Sequence, residues 1–336
     1  MNELGGYAIF SGAGWPAIDA LGLDRPGVHG FSLARHCLRA IHGTVRPVRL
    51  WLPHFTCPSV KKVAEQLGTS VSYYHLGEGL TPELQDVGPR DLCVINHYFG
   101  LSARLPGWAP ALATLAPERC VIDNTQSLGL SNPFPAHWSF LSPRKFLPVT
   151  DGGILHTAAG QMVDPSTLPD ATDQSWSRAQ WLFRALDEGG RGASYAEYLT
   201  FRQQEVQAIA YARMSPVTRH LLAHCDVAGL LRARNRRFET LRRTLPIHSE
   251  FCGVVLDELA CPIGFPVQVP DAARLQAVLA GHRIFSVRYW PELAQGGVLN
   301  DYERGLLDRT VLLPLDADYS ETHMSILLDE LAGARR

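Results

Sequence analysis

No apolar run in this 336-residue chain approaches the ~20 residues that a membrane span needs. The first residues, MNELGGYAIF, carry Glu3 and no basic stretch, so a secretory leader is not expected. An excess of one charge is missing as well. Lys and Arg number 31 against 33 Asp and Glu, a formal net charge of -2, which gives no global attraction to nucleic acid or an anionic membrane. The seven cysteines (Cys37, Cys57, Cys93, Cys120, Cys225, Cys252, Cys261) are odd in number and form no CxxC pair. Cys37, Cys93 and Cys120 sit in apolar runs, where buried free thiols are common. A cytoplasmic, reducing location is expected rather than a disulfide framework or zinc site. His220 and His224 in HLLAH lack the glutamate of a zinc-protease helix. DADYSET has Glu321 where a calcium loop needs glycine. No metal is expected, and there are no internal repeats or low-complexity tracts.

What is present is an ordinary folded composition, 46% apolar and 19% charged, long enough for one large domain with a smaller one appended. VRLWLP (48–53), SVSYYHL, LCVINHYFG and CVIDN read as strands. SVKKVAEQLG reads as a helix capped by Ser59, TPELQDV as a short helix begun by Pro82, and Leu105 to Leu115 as a further helix. This alternation implies a parallel sheet covered on both faces, whose ligands collect at the carboxyl ends of the strands, where His97 and Asp123 fall. From about Ser175 to Leu245 the pattern turns helical. Its arginine run (232, 234, 236, 237, 242, 243) reads mostly as a solvated face, with Leu231, Phe238, Leu241 and Leu245 buried. FPVQVP, SVRYWP and TVLLPL then read as strands, around a helix Asp271 to His282 and before a closing helix Ser320 to Leu331.

Two places invite a phosphate. Gly12, Gly14 and Ala17 fit the dinucleotide fingerprint G-x-G-x-x-A, but Pro16 falls where the helix should be under way and no acid closes a second strand. The other is the start of a helix bearing Leu33, Ala34, Cys37, Leu38 and Ile41. It follows the turn Gly30-Phe31-Ser32, with Ser32 as the expected cap, and reads equally as an anion site or an ordinary capped helix.

The stretch Val121 to Gly153 carries the chemistry. It holds an acid after a short apolar strand (Asp123), an amide three residues on (Gln126), a hydroxyl three residues before a lysine (Ser142, Lys145) and a glycine pair (Gly152, Gly153). A lysine amine can form a Schiff base with an aldehyde cofactor, and a carboxylate can hold a pyridine nitrogen protonated, so the order suits pyridoxal 5'-phosphate (PLP).

These motifs together resemble the PLP-dependent aminotransferases of the DegT/StrS type, known for aminating nucleotide-sugar ketones. Asp123-Asn124-Thr125-Gln126 resembles the family's D-x-x-Q, and INHYFG (95–100) its strand ending in H-x-x-G. SPRKFLPVTDGG resembles its lysine loop and glycine pair, VRYWP its substrate-side strand, and LPLDADYSETHMSILLDEL its C-terminal ending. The resemblance covers most of residues 30–157 and 245–332. It implies an α/β protein of PLP-dependent transferase fold type I, like aspartate aminotransferase. The expected parts are an N-terminal segment near the active site (1–30), a large PLP-binding α/β domain (31–175), a helical connector (176–245) and a small C-terminal α/β domain (246–336). A homodimer is implied too.

By the resemblance, Lys145 holds the cofactor and carries the proton, Asp123 faces the pyridine nitrogen, and Gln126 lies near the phenolic oxygen. Ser142, with Ser139 as runner-up, and the backbone around Ala34 and Arg35 would hold the phosphate. Phe55 or Cys57 would cover the ring. Arg288, Tyr289 and His97 are candidates for substrate contact. Ser32-Leu33-Ala34-Arg35 departs from the family's Gly-Thr or Ser-Thr, and the family's asparagine before Arg-Met has no evident counterpart near Arg213-Met214. The implied reaction moves an amino group from an amino acid to a ketone or aldehyde, sugar-linked in the leading reading. Its rivals are another PLP reaction on an amino acid, a non-catalytic protein that keeps the fold, and a nicotinamide oxidoreductase built on GAGWPA.

Overall fold

The computed structural model describes residues 21–128, 136–158, 163–188, 197–198, 200–201, 211–246, 250–251, 253–258 and 260–333. The first 20 residues, with the GAGWPA motif, and Cys252 lie outside them.

Among the described residues eight strands make one sheet: β1 (Val28–Phe31), β2 (Arg49–Pro53), β3 (Ser70–Gly77), β4 (Thr81–Glu83), β5 (Asp91–Asn96), β6 (Cys120–Asp123), β7 (Trp138–Leu141) and β8 (Gly153–Thr157). Their order is β1-β8-β7-β6-β5-β2-β3-β4. Strands β7, β6, β5, β2 and β3 are mutually parallel. Strand β8 runs against both β7 and β1, and β4 runs against β3 at the edge. A separate antiparallel pair joins β9 (Phe265–Gln268) to β10 (Thr310–Leu313).

Alternation along the strands fills both faces. Leu92, Val94 and Val121 pack with Cys37, Leu38 and Ile41 of helix α1 (Ala34–Val45). Their neighbours Cys93, Ile95, Cys120 and Ile122 enter another core with Trp108, Phe265 and Leu306. Strands buried on both sides are apolar almost throughout, which is why LCVI and CVI carry no polar period. Successive strands run outward from β2 to β3 on one side and from β5 to β6 and β7 on the other. The sheet therefore has a switch point between β2 and β5, and ligands of such sheets bind beyond the carboxyl ends of the strands near it.

Several elements differ from the sequence reading. TPELQDV forms no helix: Thr81–Glu83 is the edge strand β4, with Pro82 opposite Leu76, a place where a missing N–H is tolerated. The helix expected over Leu105–Leu115 is confined to Trp108–Leu112. VRYWP is no strand. Val287 makes one bridge to Leu312, then Trp290 turns left-handed at φ 51° ahead of Pro291, and pairing ends. Cys57, not Ser59, precedes helix Pro58–Gln66. The capping residue of α1 is Leu33, which makes no side-chain cap, and Ser32 instead bonds His36.

Arg234 breaks the expectation of a solvated arginine face. It lies 1% exposed in helix Val227–Thr244. Its guanidinium donates to the carbonyls of Pro262 (3.1 Å) and Ile263 (2.7 Å), and pairs with Asp316. Helix Asp301–Arg309, unread in the sequence, begins with a reciprocal cap between Asn300 and Glu303. The N-x-x-E spacing was its signal. No helix among the described residues is long and apolar enough to cross a membrane.

Candidate active site

Asp123 ends β6 and is 5% exposed. Its Oδ1 accepts the Thr125 N–H at 2.8 Å. Burial pushes the carboxyl above its ordinary range, while the positive charge of Lys145 and the Thr125 bond pull it back. Lys145 sits on a short turn, Pro143–Lys145, directly after β7. Its side chain is exposed, yet its charge reaches the buried carboxylate. The carboxyl ends of two adjacent parallel strands thus bring acid and amine together across 22 residues of sequence.

The strand register separates the two serines. Asp123 pairs with Phe140, and Ser139 pairs with Ile122. Side chains alternate between faces, so Ser139 points away from Asp123's side of the sheet. Ser142 lies two residues beyond Phe140 in extended backbone and is buried. It shares the face of Asp123 and stands at the strand end, where Ser139 does not.

Gln126 and the H-x-x-G turn form one unit. Gln126 Oε1 accepts the Phe99 N–H at 2.7 Å. His97 donates its main-chain N–H to the Asp123 carbonyl at 3.0 Å, and its Nδ1 lies 3.1 Å from Asn124 Oδ1. Burial, then the charge of Arg104, holds the His97 ring down to about 4, so it is neutral at ordinary pH. Phe99 (φ 57°) and Gly100 (φ 76°) both turn left-handed. A Cβ on Gly100 would meet the Gln126 carbonyl at 2.8 Å and Pro262 at 2.9 Å, so the motif's glycine answers a close approach as well as a turn.

The glycine pair does similar work beside α1. Gly152 donates its N–H to the Ser32 carbonyl at 2.7 Å. A Cβ on Gly153 would fall 2.3 Å from the Leu33 carbonyl carbon and 2.4 Å from the Ala34 nitrogen. The lysine loop is thereby brought against the start of α1, where Ala34 and Arg35, both half-buried, occupy the first turn. Amides of a first turn have no intrahelical acceptor. Ser32 Oγ lies 2.9 Å from His36 Nδ1, and His36 is held down to about 3 by burial and the charges of Arg35, Arg39 and Arg178.

Of the remaining candidates, Tyr289 joins the group and Arg288 does not. Burial raises the Tyr289 hydroxyl, with further contributions from Cys57 and Asp123. Its ring stacks on Phe99 at 6.1 Å. Arg288 instead reaches the Leu307 carbonyl at 3.4 Å. Phe55 is buried against Trp290 (5.1 Å) and Tyr98 (5.9 Å), and Cys57 is half-buried with its thiol 3.0 Å from Ser59 Oγ.

Three residues that sequence reasoning missed belong to this neighbourhood. Asn96, opposite Asp123 in register, gives its Nδ2 to Thr56 Oγ1 at 2.9 Å, while its buried Oδ1 finds no partner among the described residues. Tyr98 donates to the Phe55 carbonyl at 2.6 Å and feels the Asp123 charge. Trp290 closes the aromatic side. A polar residue at the end of an otherwise apolar strand was the signal for Asn96. Among the described residues no group of three or more His, Cys, Asp or Glu could hold a metal ion.

No protein-family profile and no curated protein matches the chain. Solved structures do resemble it. One is a DegT DnrJ EryC1 StrS aminotransferase from Brucella abortus, 15% identical, with 96% of this chain and 91% of that one covered and a TM-score of 0.58. The sugar aminotransferase CalS13 from Micromonospora echinospora is 13% identical over 97% and 95% of the two chains, with a TM-score of 0.57. NtdA from Bacillus subtilis, solved with bound cofactor PMP, is 11% identical over 91% and 73%, with a TM-score of 0.57. The chain has the fold of these aminotransferases.

Proposed function

We propose that this protein is a PLP-dependent aminotransferase that moves an amino group from an amino acid to a ketone or aldehyde, with a sugar-linked acceptor. The observation that carries the reading is the buried Asp123 carboxylate at the end of β6, answered by the charge of Lys145 from the end of β7, in a chain with the aminotransferase fold. The residues fit the cofactor. A carboxylate held above its usual range by burial lacks a full counter-charge, and a pyridinium nitrogen supplies one. The Asn96 Oδ1, which has no partner among the described residues, marks unsatisfied polar space on the same face, since buried polar atoms ordinarily find partners.

The cofactor, when bound, supplies the aldehyde that receives the amino group and the ring that accepts electrons. Asp123 would fix the nitrogen end. Gln126 would present its amide nitrogen, because its oxygen is already taken by Phe99. Ser142 and the first turn of α1 at Ala34 and Arg35 would hold the phosphate. Lys145 would hold the aldehyde end of the cofactor and would serve as the general base and acid that moves the proton. Tyr289 and Trp290 would face the acceptor. The exposure of Lys145 suits a homodimer in which a second copy covers this edge. The six described cysteines are free, in keeping with a reducing cytoplasm.

The test is reconstitution with PLP followed by borohydride reduction and peptide mapping. The expected outcome is a yellow protein whose label maps to the peptide containing Lys145, and conversion to the amino form of the cofactor with glutamate. Label on any other lysine, or none, would overturn the reading.

A further inference from the structure

Asp151 follows Lys145 by six residues and is 0% exposed. Its Oδ1 accepts the hydroxyls of Ser175 at 2.6 Å, Ser215 at 2.7 Å and Thr150 at 3.4 Å, and that of Thr218. Its Oδ2 accepts the Ser215 N–H at 2.8 Å. Ser175 belongs to helix Thr172–Asp187, and Ser215 caps helix Pro216–His224, whose first turn holds Thr218. A single carboxylate therefore gathers donors from two helices and its own loop.

Burial of a carboxylate is costly unless its lone pairs are filled, and bonds to an ionised acceptor are stronger and more directional than neutral ones. The positive end of helix Pro216–His224 favours an anion at this spot. On the loop's other side, Gly152 donates to Ser32, and Gly153 pairs with Phe31 in β1. The segment carrying Lys145 thus starts on β7 and finishes in a knot of hydrogen bonds. Nothing in the proposed chemistry uses Asp151 itself.

We propose that Asp151 is a positioning residue for Lys145, setting where the lysine loop stands relative to Asp123 by tying its far end to helices Thr172–Asp187 and Pro216–His224. This rests on the cofactor reading above. Asparagine at 151 has the same size but turns a donor amide toward groups that are themselves donors. The hydroxyls of Ser175 and Thr218 are the pieces of the knot that can be removed while the carboxylate stays.

Asp151→Asn, Ser175→Ala and Thr218→Val are compared with the unaltered chain in three measurements. These are amide hydrogen exchange over 142–153 without cofactor, the Kd for PLP, and the pH at which the bound cofactor's absorbance titrates. In Asp151→Asn the amides of Lys145, Leu147 and Gly152 should exchange about tenfold faster and the Kd should rise about tenfold, the scale of a lost bond to a charged acceptor. The absorbance titration should move as well. Ser175→Ala and Thr218→Val should follow in the same direction by less, and they carry the test if Asp151→Asn does not fold. Faster exchange spread evenly over the whole chain, with Kd and titration unchanged, would mean a merely structural residue and overturn the proposal. Failure of the unaltered protein to bind PLP would defeat the cofactor reading instead, and the loop-specific exchange would still decide the clamp.

Discussion

The Phe99 main-chain N–H and the Gln126 side-chain oxygen meet at 2.7 Å, so the amide of the D-x-x-Q segment is spent at one end on holding the H-x-x-G turn. Gln126→Glu keeps an acceptor there and removes the amide nitrogen. Gln126→Leu removes both and leaves a buried N–H without a partner, a loss of about 1–3 kcal/mol. The expected outcome is a clearly reduced urea midpoint for Gln126→Leu, and for Gln126→Glu a midpoint near normal only at acid pH, where the new buried carboxyl stays protonated, with the bound cofactor's absorbance altered in both. Equal midpoints would contradict the bond's structural role.

Asp123 sets one pH dependence. Burial raises its folded-state pKa above the ordinary 3.8, so the folded chain keeps a proton that the unfolded chain releases. Stability from this group is therefore present at low pH and lost as pH rises through the raised value. Asp123→Asn, which keeps an oxygen for the Thr125 N–H, should make the cofactor-free protein at least as stable as the unaltered one at alkaline pH, with an advantage that shrinks as pH falls toward 3.8. Its amino-transfer activity should fall by several orders of magnitude, on the order of 1.4 kcal/mol per tenfold. Differential scanning fluorimetry across pH reads the first effect.

His97 works in the opposite sense. Its folded-state value is lowered from 6.5 to about 4 by burial and Arg104, so the unfolded chain binds the proton first. The contribution is present above pH 6.5 and lost as pH falls toward 4. His97→Gln should flatten the loss of stability over that window. An unchanged acid limb would show that other groups, such as His36, dominate it.

Gly153→Ala should separate β8 from α1, because the new Cβ would stand 2.3 Å from Leu33 backbone. Backbone on both sides leaves no flexible side chain to give way. Overpacking of this kind costs about 3 kcal/mol, readable as a lower urea midpoint together with weakened PLP binding. Gly43→Ala, with nothing within 4 Å of its added carbon, is the control and should be neutral or slightly stabilising.

Arg234→Met should cost about 3 kcal/mol, the scale of breaking a buried ion pair, since Asp316 and the carbonyls of Pro262 and Ile263 lose their donor together. Arg234→Lys should recover only part of this, because an ammonium cannot reproduce the planar fork. Chemical denaturation of both variants decides it.

The residues that could be read in advance are those at strand ends. A parallel strand buried on both faces is a short apolar word, and the first polar residues after it mark its carboxyl end; Asp123 and His97 were placed at strand ends this way, and the structure puts them there. Ser142 against Ser139 stayed open because strand parity depends on where β7 begins, and no alternation marks that in WSFL. Strands β1, β7 and β8 were invisible as strands for the same reason. Arg234 was misread because its helix has a sound apolar stripe without it. Its partners lie about 28 and 82 residues away in sequence, and only folding brings them near. Edge strand β4 was hidden by Pro82, which opens a helix as readily as it blunts a sheet edge.

The Ile263 N–H is shared between the carbonyls of Phe99 (3.2 Å) and Gln126 (3.1 Å), and the Leu128 N–H reaches Cys261 at 3.1 Å. Arg234 grips the same two-residue seam from behind. These bonds join the C-terminal half directly to the turn beside Asp123. The Val287–Pro291 segment is fastened to the same body by its bridge to Leu312 and by the rings of Tyr289 and Trp290 against Phe99 and Phe55, so the aromatic wall beside Asp123 is built from both halves of the chain.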